Sequence, residues 1–403
     1  MSVIVFSTVD FPNGDAPSAH ARLLIKGLRE LGESAFLLTP HASLLGNSAG
    51  NKKWHGHEGD IPFAYLSRVT TRPAGSAAAT IQSAAAMWRG CIFLLCRYFR
   101  NRKDIVILYT PDALEYAPII LTCTTFRIPF IVMMVEMMTS TRDKWTWRQR
   151  LRMAGYRLTE KGVPYLASGY AVISSALYRY YSRLLPAERL LMSPILVDPG
   201  TRPSTSHPLV QRTIVHGGTF AEKDGVEHII RAFAMISERY SDLNLILTGG
   251  SSNPATMEKL RQLVRELRID SRVTFTGFVS REVLISILDG ADVLLVCRTR
   301  STFAEFGFPW KLGEYCMLGR PIVVTRVGDI ESYFTDRESI YIADPESPSS
   351  IAACVCEILD DYDSALRVAA GSRKAAIEHF GYRTHAQRLL EFINRVRVGV
   401  AVE

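Results

Sequence analysis

The chain of 403 residues has few cysteines, no tract of low complexity and no short internal repeat. Its seven cysteines (Cys91, Cys96, Cys123, Cys297, Cys316, Cys354 and Cys356) are odd in number, lie mostly in apolar runs and show no metal-finger spacing. This argues against a disulfide framework or a zinc ribbon and predicts reduced core thiols in a cytosolic protein. No set of metal-ligating residues stands out, so neither a metal nor another cofactor is expected. No signal peptide is expected ahead of the first apolar segment, Val3–Phe6. The longest apolar stretches, around Ile92–Cys96 and Pro129–Met138, read as too short or too interrupted to span a bilayer. No nucleic-acid motif is recognisable, so no nucleic-acid partner is expected.

What is present is a globular composition, 47% hydrophobic and 22% charged, with enough chain for two domains of ordinary size. The net charge of +7 is unevenly spread: residues 1–200 hold 23 Lys and Arg against 14 Asp and Glu, and the remainder holds 24 against 26. A basic N-terminal half predicts that one domain faces an anionic surface, such as acidic lipid headgroups or a diphosphate-bearing substrate. The basic residues gather at Arg97, Arg100, Arg102 and Lys103, and again at Arg142, Lys144, Arg148, Arg150, Arg152, Arg157 and Lys161. Trp145, Trp147, Leu151 and Met153 are interleaved with the second group. That is the pattern of an interfacial helix, so peripheral contact with an anionic membrane is expected. A solvated helix face with a few aromatics turned inward is the other reading.

Strand-like and helix-like segments alternate almost throughout, which predicts parallel α/β layers. In the first half, strands are expected at Val3–Ser7, Ser34–Leu38, Ile105–Tyr109, Phe130–Val135 and Tyr170–Ile173, with a helix at Ala19–Leu31. Pro194–Pro208, with four prolines, reads as an interdomain linker. The pattern restarts with strands at Thr213–His216, Leu243–Leu247, Val273–Phe275, Val293–Val296 and Ile322–Thr325, and helices at Val226–Ser237 and Pro254–Leu267. Open α/β units bind ligands at the carboxyl ends of their strands, so a cleft between two such domains is the default active site.

The most informative segment is Phe306–Tyr315 with its continuation to Thr325. Pro309 is placed to begin a short helix, and Gly319 and Pro321 end it before an Ile-Val-Val strand. The helix directs its positive end at Glu305–Phe308, so Phe308 and Pro309 mark an expected anion site. Glu314 falls between apolar neighbours on a helix expected to be buried on two sides, where a carboxylate needs a hydrogen-bonding partner such as a ligand. Upstream, Arg298 and Arg300 join Lys311 as three positive charges suited to a leaving diphosphate; solvated loop charges are the alternative. Gly217-Gly218-Thr219 after a strand, with Lys223 following, allows close backbone approach to a phosphate and supplies a compact charge. Two further strand-to-helix turns carry Gly14 and Gly249. Glu136, at the end of an expected strand, faces an acceptor or caps a helix.

Together, Gly217-Gly218-Thr219, Lys223-Asp224-Gly225 and Phe308-Pro309-Trp310-Lys311-Leu312-Gly313-Glu314-Tyr315 resemble the family 4 glycosyltransferases, retaining enzymes of the GT-B fold. The nearest resemblance is to bacterial enzymes of cell-surface polysaccharide assembly. It covers nearly the whole chain, is strong over residues 213–345 and looser over residues 1–200. It implies two Rossmann-like doubly wound domains facing across a cleft. Residues 1–200 would hold the acceptor, joined by a C-terminal helix at 384–403, and residues 201–383 would hold a UDP- or GDP-linked sugar. Glu314 matches the glutamate that binds the ribose hydroxyls, and Lys223 approximately matches the lysine on the donor diphosphate.

Two departures from the family stand out. The position eight residues before Glu314 is Phe306 rather than glutamate, with Glu305 one place off and a catalytic role beside the sugar still assigned to it. An arginine ahead of the phosphate lysine is missing from Gly218-Thr219-Phe220, and Arg298 or Arg300 is a candidate replacement. The implied acceptor is a glycan or a polyprenyl-diphosphate-linked glycan at the inner face of the cytoplasmic membrane. A nucleotide-sugar epimerase of GT-B fold and a non-catalytic partner of a polysaccharide complex are the alternatives.

Overall fold

Mostly apolar strands alternating with helices build two separate, largely parallel sheets. The computed structural model describes residues 1–14, 16–40, 51–73, 75–137, 147–201 and 211–400. The chain divides into two compact units, Met1–Leu196 with the segment from Tyr382 onward, and Val197–Gly381.

The first unit runs β1 (Ser2–Ser7), α1 (Ala16–Glu30), β2 (Ser34–Thr39), β3 (His55–Glu58), β4 (Ile61–Tyr65), α2 (Ser76–Arg100), β5 (Ile105–Tyr109), α3 (Ala117–Thr125), β6 (Phe130–Met134), α4 (Trp147–Lys161), β7 (Gly169–Val172), α5 (Ser175–Tyr181) and β8 (Leu190–Met192). Its sheet order is β3-β4-β2-β1-β5-β6-β7-β8, parallel except for the β3–β4 edge hairpin. β1, β5 and β6 are buried at every position, as parallel strands covered on both faces must be. The order reverses between β1 and β5, which puts a topological switch point there.

The sequence pattern gave no element between Leu38 and Ile105. Among the described residues three form there, β3, β4 and α2. β3 reads His-Gly-His-Glu and has no apolar face to betray it. α2 is Ala-rich and interrupted by Arg89, so its longest continuous apolar run, Cys91–Cys96, is too short to announce a helix of this length. Ile92–Cys96 belongs to this helix, and Ala77–Arg100 is in fact long and apolar enough, by length and composition, to cross a membrane. That corrects the expectation drawn from the shorter run. α2 instead packs one face on the domain, where a Cβ on Gly90 would meet Ile119 and Phe6 side chains.

The second unit runs β9 (Thr213–Thr219), α6 (Val226–Ser237), β10 (Asn244–Gly250), α7 (Pro254–Glu266), β11 (Val273–Gly277), α8 (Arg281–Asp289), β12 (Val293–Val296), α9 (Thr302–Phe306), α10 (Trp310–Leu318), β13 (Ile322–Thr325), α11 (Ile330–Tyr333), β14 (Tyr341–Ala343), α12 (Pro348–Asp360) and α13 (Tyr362–Phe380). Its six strands are all parallel in the order β11-β10-β9-β12-β13-β14, the 3-2-1-4-5-6 order of a dinucleotide-binding fold. Val226, Ile229, Ile230, Phe233 and Ile236 give α6 a buried stripe at helical spacing that covers this sheet. The switch point lies between β9 and β12.

The last helix, α14 (Tyr382–Val400), belongs to the first unit. It packs on α1 at Gly27, where any larger residue would strike Ala386. Glu30 accepts hydrogen bonds from the Tyr382 hydroxyl at 2.7 Å and the Arg383 Nε at 2.8 Å.

Candidate functional site

The carboxyl ends of β9 and β12 flank the switch point of the second unit. β9 ends in Gly217-Gly218-Thr219, with Gly218 at φ 140°, and pairs in register with β10 so that Gly218 lies opposite Gly249, itself at φ 107°. Two facing glycines keep this strip of backbone free of side chains. A Cβ on Gly249 would stand 1.9 Å from the Gly218 carbonyl oxygen, and one on Gly225 would stand 2.1 Å from that of Cys297. Gly225, at φ 63°, therefore allows the chain to turn from the β9 loop into α6.

Lys311, in the first turn of α10, reaches back to this strip. Its Nζ lies 2.6 Å from where a Gly218 Cβ would be and 3.6 Å from Asp224 Oδ1. Asp224 also accepts from the Thr219 hydroxyl at 2.8 Å. Burial pushes the Asp224 carboxyl up, but Lys311, the Thr219 hydroxyl, His216 and Lys223 together hold it below the usual carboxylate range. The Lys311 side chain is only 22% exposed. Burial depresses its ammonium more than Asp224 supports it, and Arg298 and Lys223 depress it further. Lys311, Lys223 and Arg298 thus gather with Asp224. Such a cationic cluster suits a nucleotide diphosphate, and a bound anion would relieve the penalty on Lys311.

His216 sits beneath this cluster. Its Nδ1 is 3.0 Å from the Leu295 carbonyl, which can only accept, so Nδ1 carries the proton and Nε2 is a buried lone pair without a partner among the described residues. Burial first, and Lys311 second, lower its pKa to about 3. His20 in the other unit is lowered to about 3 as well, chiefly by burial. A histidine that stays neutral when folded binds a proton only on unfolding. Stability is therefore complete above about pH 6.5 and falls towards pH 3, by about 1.4 kcal/mol per pH unit for each group. Thermal unfolding at about pH 7 and about pH 5 should show this loss, reduced in His216→Asn, which keeps a donor for Leu295.

Tyr315 ties α10 to the glycine strip, since the Gly217 N–H donates to its hydroxyl at 3.0 Å. Both groups are buried, and burial raises the tyrosine pKa far above its ordinary value. Tyr315→Phe should cost about 1–3 kcal/mol, because it leaves a buried N–H without an acceptor, and a denaturant melt would measure it. Sequence reasoning counted Tyr315 only as part of an apolar face. Its partner lies 98 positions away, so spacing alone could not find it.

Glu314 differs from expectation. Its side chain is 41% exposed and pairs with Arg281 of α8 at 3.2 Å. α8 leaves that flank of α10 open and supplies a guanidinium, so the carboxylate is neither starved of solvent nor unpartnered. It remains one turn from Lys311 on the same short helix.

The other candidate residues are distributed as follows. Lys223 lies in the turn between β9 and α6, its Nζ 5.5 Å from the centre of the Phe303 ring. Arg298 follows β12, is buried, and donates to the Phe303 carbonyl at 3.2 Å, so it braces α9 as well as adding charge. Arg300 is exposed, and its backbone N–H donates to Glu346 at 3.1 Å. Glu305 is exposed on α9 and lines, with Arg300 and Arg326, a cavity of about 430 Å³. The Phe308 ring is buried against Tyr333 and Phe380, 5.5 and 5.4 Å away, and Pro309 caps α10 from a buried position. Their side chains therefore shape the unit's interior, leaving only the backbone to meet a ligand.

Gly14 and Glu136 belong to the first unit. A Cβ on Gly14 would strike the Asp10 carbonyl and Ser18 hydroxyl, which bond to each other at 2.9 Å. Glu136 is half-buried just past β6. Arg142, Lys144 and Trp145 of the second basic cluster lie outside the described residues, as do positions 202–208 of the expected linker. Among the described residues no three His, Cys, Asp or Glu side chains converge as a metal site.

Sucrose-phosphate synthase from Thermosynechococcus elongatus superposes with a TM-score of 0.73 at 16% identity, covering 99% of both chains. Anabaena Alr3699/HepE, solved in complex with UDP and glucose, superposes with a TM-score of 0.71 at 14% identity over 98% of this chain and 99% of that one. The chain has the GT-B fold. Residues 211–361, which contain the β9 strip, Lys223, Asp224, Lys311 and Glu314, match the model of the family described as glycosyl transferases group 1. D-inositol 3-phosphate glycosyltransferase of Corynebacterium glutamicum is 26% identical over 193 residues, 46% of this chain and 44% of the relative. The GDP-mannose-dependent alpha-(1-6)-phosphatidylinositol monomannoside mannosyltransferase of Mycobacterium tuberculosis is 26% identical over 183 residues, 45% of this chain and 47% of the relative. The chain spans less than half the length of these curated relatives. In this GT-B chain, the sequence similarity to the family is thus concentrated in the unit that carries the cationic cluster.

Proposed function

We propose that the protein is a retaining glycosyltransferase. It moves a sugar from a UDP- or GDP-linked donor to a glycan or polyprenyl-diphosphate-linked acceptor, in cell-surface polysaccharide biosynthesis at the inner face of the cytoplasmic membrane. The observation that carries this reading is the buried Lys311 ammonium at the carboxyl end of β9, where it meets the side-chain-free Gly218–Gly249 strip. The family match over residues 211–361 supports it. UDP in the HepE complex and GDP-mannose in the name of the mycobacterial relative keep both nucleotides in view.

In this mechanism the donor diphosphate lies along the glycine strip, with Lys311 and Lys223 neutralising charge that grows as the anomeric carbon–oxygen bond breaks. Glu314 takes the two ribose hydroxyls, for which it exchanges Arg281 or which it shares with it. The acceptor oxygen bonds to the anomeric carbon on the face the leaving group vacates, and its proton passes to a departing phosphate oxygen. The protein's work is positioning and electrostatics rather than covalent catalysis. Glu305 stands on the sugar side, and Glu136 is assigned to the acceptor.

The test incubates the protein with UDP- and GDP-sugars, with and without a polyprenyl-diphosphate-linked glycan, and analyses the products. The expected result is sugar transfer that needs the acceptor and keeps the anomeric configuration. A donor altered without any acceptor would mean an epimerase instead. Binding of no nucleotide at all would mean a non-catalytic partner.

A further inference from the structure

The outer face of α2 is apolar and uncovered. Ile81, Trp88, Ile92 and Phe99 are 70, 65, 58 and 73% exposed. At about 100° per residue these positions fall within about 40° of one another, forming a stripe roughly 27 Å long. The opposite face, with Ala86, Met87, Gly90, Cys91 and Leu94, is buried in the first unit. An unbroken apolar stripe of this length on a surface marks an interaction site.

The surroundings of the stripe select the partner. Residues 61–103 contain no Asp or Glu and seven Lys or Arg. Arg68 and Arg72 are exposed before the start of α2, and Arg100, Arg102 and Lys103 are exposed at its other end. Arg97 is already paired with Asp104 at 2.6 Å and is not part of this set. Two copies of the chain meeting stripe to stripe with antiparallel helices would set basic end against basic end, with no carboxylate in the segment to offset the repulsion. A surface of anionic headgroups over acyl chains fits both features, because apolar side chains enter the interface while cations at both ends meet phosphates.

We infer that the outer face of α2 is a docking surface for an anionic phospholipid bilayer, on which the helix lies flat. This deepens the membrane part of the function proposed above by naming the face. Lipid binding is read without donor or acceptor, so it fails or succeeds separately from sugar transfer.

The test is flotation of the full chain with vesicles of phosphatidylglycerol in phosphatidylcholine, and of phosphatidylcholine alone. The wild type is expected to float with the anionic vesicles and not with the neutral ones, and Trp88 emission to shift to the blue, a change missing from the difference spectrum of Trp88→Phe. The triple variant Trp88→Ser, Ile92→Ser, Phe99→Ser should lower partitioning about 100-fold. Arg100→Glu, Arg102→Glu, Lys103→Glu should lower it by a similar factor. Unchanged melting temperature and nucleotide affinity show that the variants fold. Three results would overturn the inference: a wild type that does not float, an α2 triple variant that floats as well as the wild type, or binding lost in Trp147→Ser, Leu151→Ser on α4 but kept in the α2 variant.

Discussion

Lys311→Ala is expected to lower kcat/KM for the nucleotide-sugar by about 10²–10³-fold, the cost of removing one donor aimed at developing oxyanion charge. The effect should sit at the upper end of that range. Without Lys311, Asp224 remains beside the strip with only Thr219 and more distant cations to offset it, and it would repel the diphosphate. The double variant Lys311→Ala, Asp224→Asn should therefore recover part of the loss. The pH dependence follows from the same group. Burial lowers the Lys311 pKa, and only the protonated form attracts an anion, so donor affinity should begin to fall at a lower pH than it would with an ordinary lysine. Lys311→Arg keeps the charge over the whole accessible range and should abolish that slope. Calorimetry in buffers of different ionisation enthalpy would register proton uptake on binding by the wild type alone.

Gly249→Ala is expected to destabilise the second unit by about 3 kcal/mol or more, through positive-φ strain together with overpacking. The added methyl would stand 1.9 Å from the Gly218 carbonyl, a backbone atom that cannot swing aside. For a unit of this size the melting temperature should fall by roughly 6–12 °C. β9 and β10 can yield only by parting at their carboxyl ends, which would carry Gly218 away from Lys311. Nucleotide affinity should fall with stability in this variant. Gly32→Ala makes a useful contrast: it also has positive φ, at 87°, but nothing lies within 4 Å of its Cβ position. It should cost less and leave nucleotide binding unchanged.

Sequence pattern located much of the second unit because β12 and β13 are buried at every position and α6 is one-sided. Val226–Ser237, Val293–Val296 and Ile322–Thr325 were read from composition at the boundaries the structure gives them. β3 escaped because it has no apolar face, β4 because Pro62 argues against a strand, and α2 because its apolar run is short and preceded by Ala-rich turns interrupted by Arg89. In the site, the glycines and Lys311 were legible as types suited to a phosphate. Their assembly was not, since the Tyr315–Gly217 bond and the Lys311–Asp224 pair join residues 98 and 87 positions apart. His216 gave one local signal, a polar residue among the buried positions at the end of a strand. The reading of Glu314 as a desolvated carboxylate failed for a tertiary reason, because helical phase revealed its neighbours on α10 and could not reveal Arg281 on α8.

The central claim is that the second unit holds a nucleoside diphosphate between Glu314 and Lys311. Calorimetric titration of UDP and GDP into the wild type, Glu314→Ala and Lys311→Ala tests it most directly. One nucleotide should bind the wild type at a single site. Glu314→Ala should weaken it by about 10²-fold, the loss of two charge-assisted hydrogen bonds, and Lys311→Ala by at least as much. Equal affinity in all three proteins, or no binding of either nucleotide to the wild type, would contradict the claim.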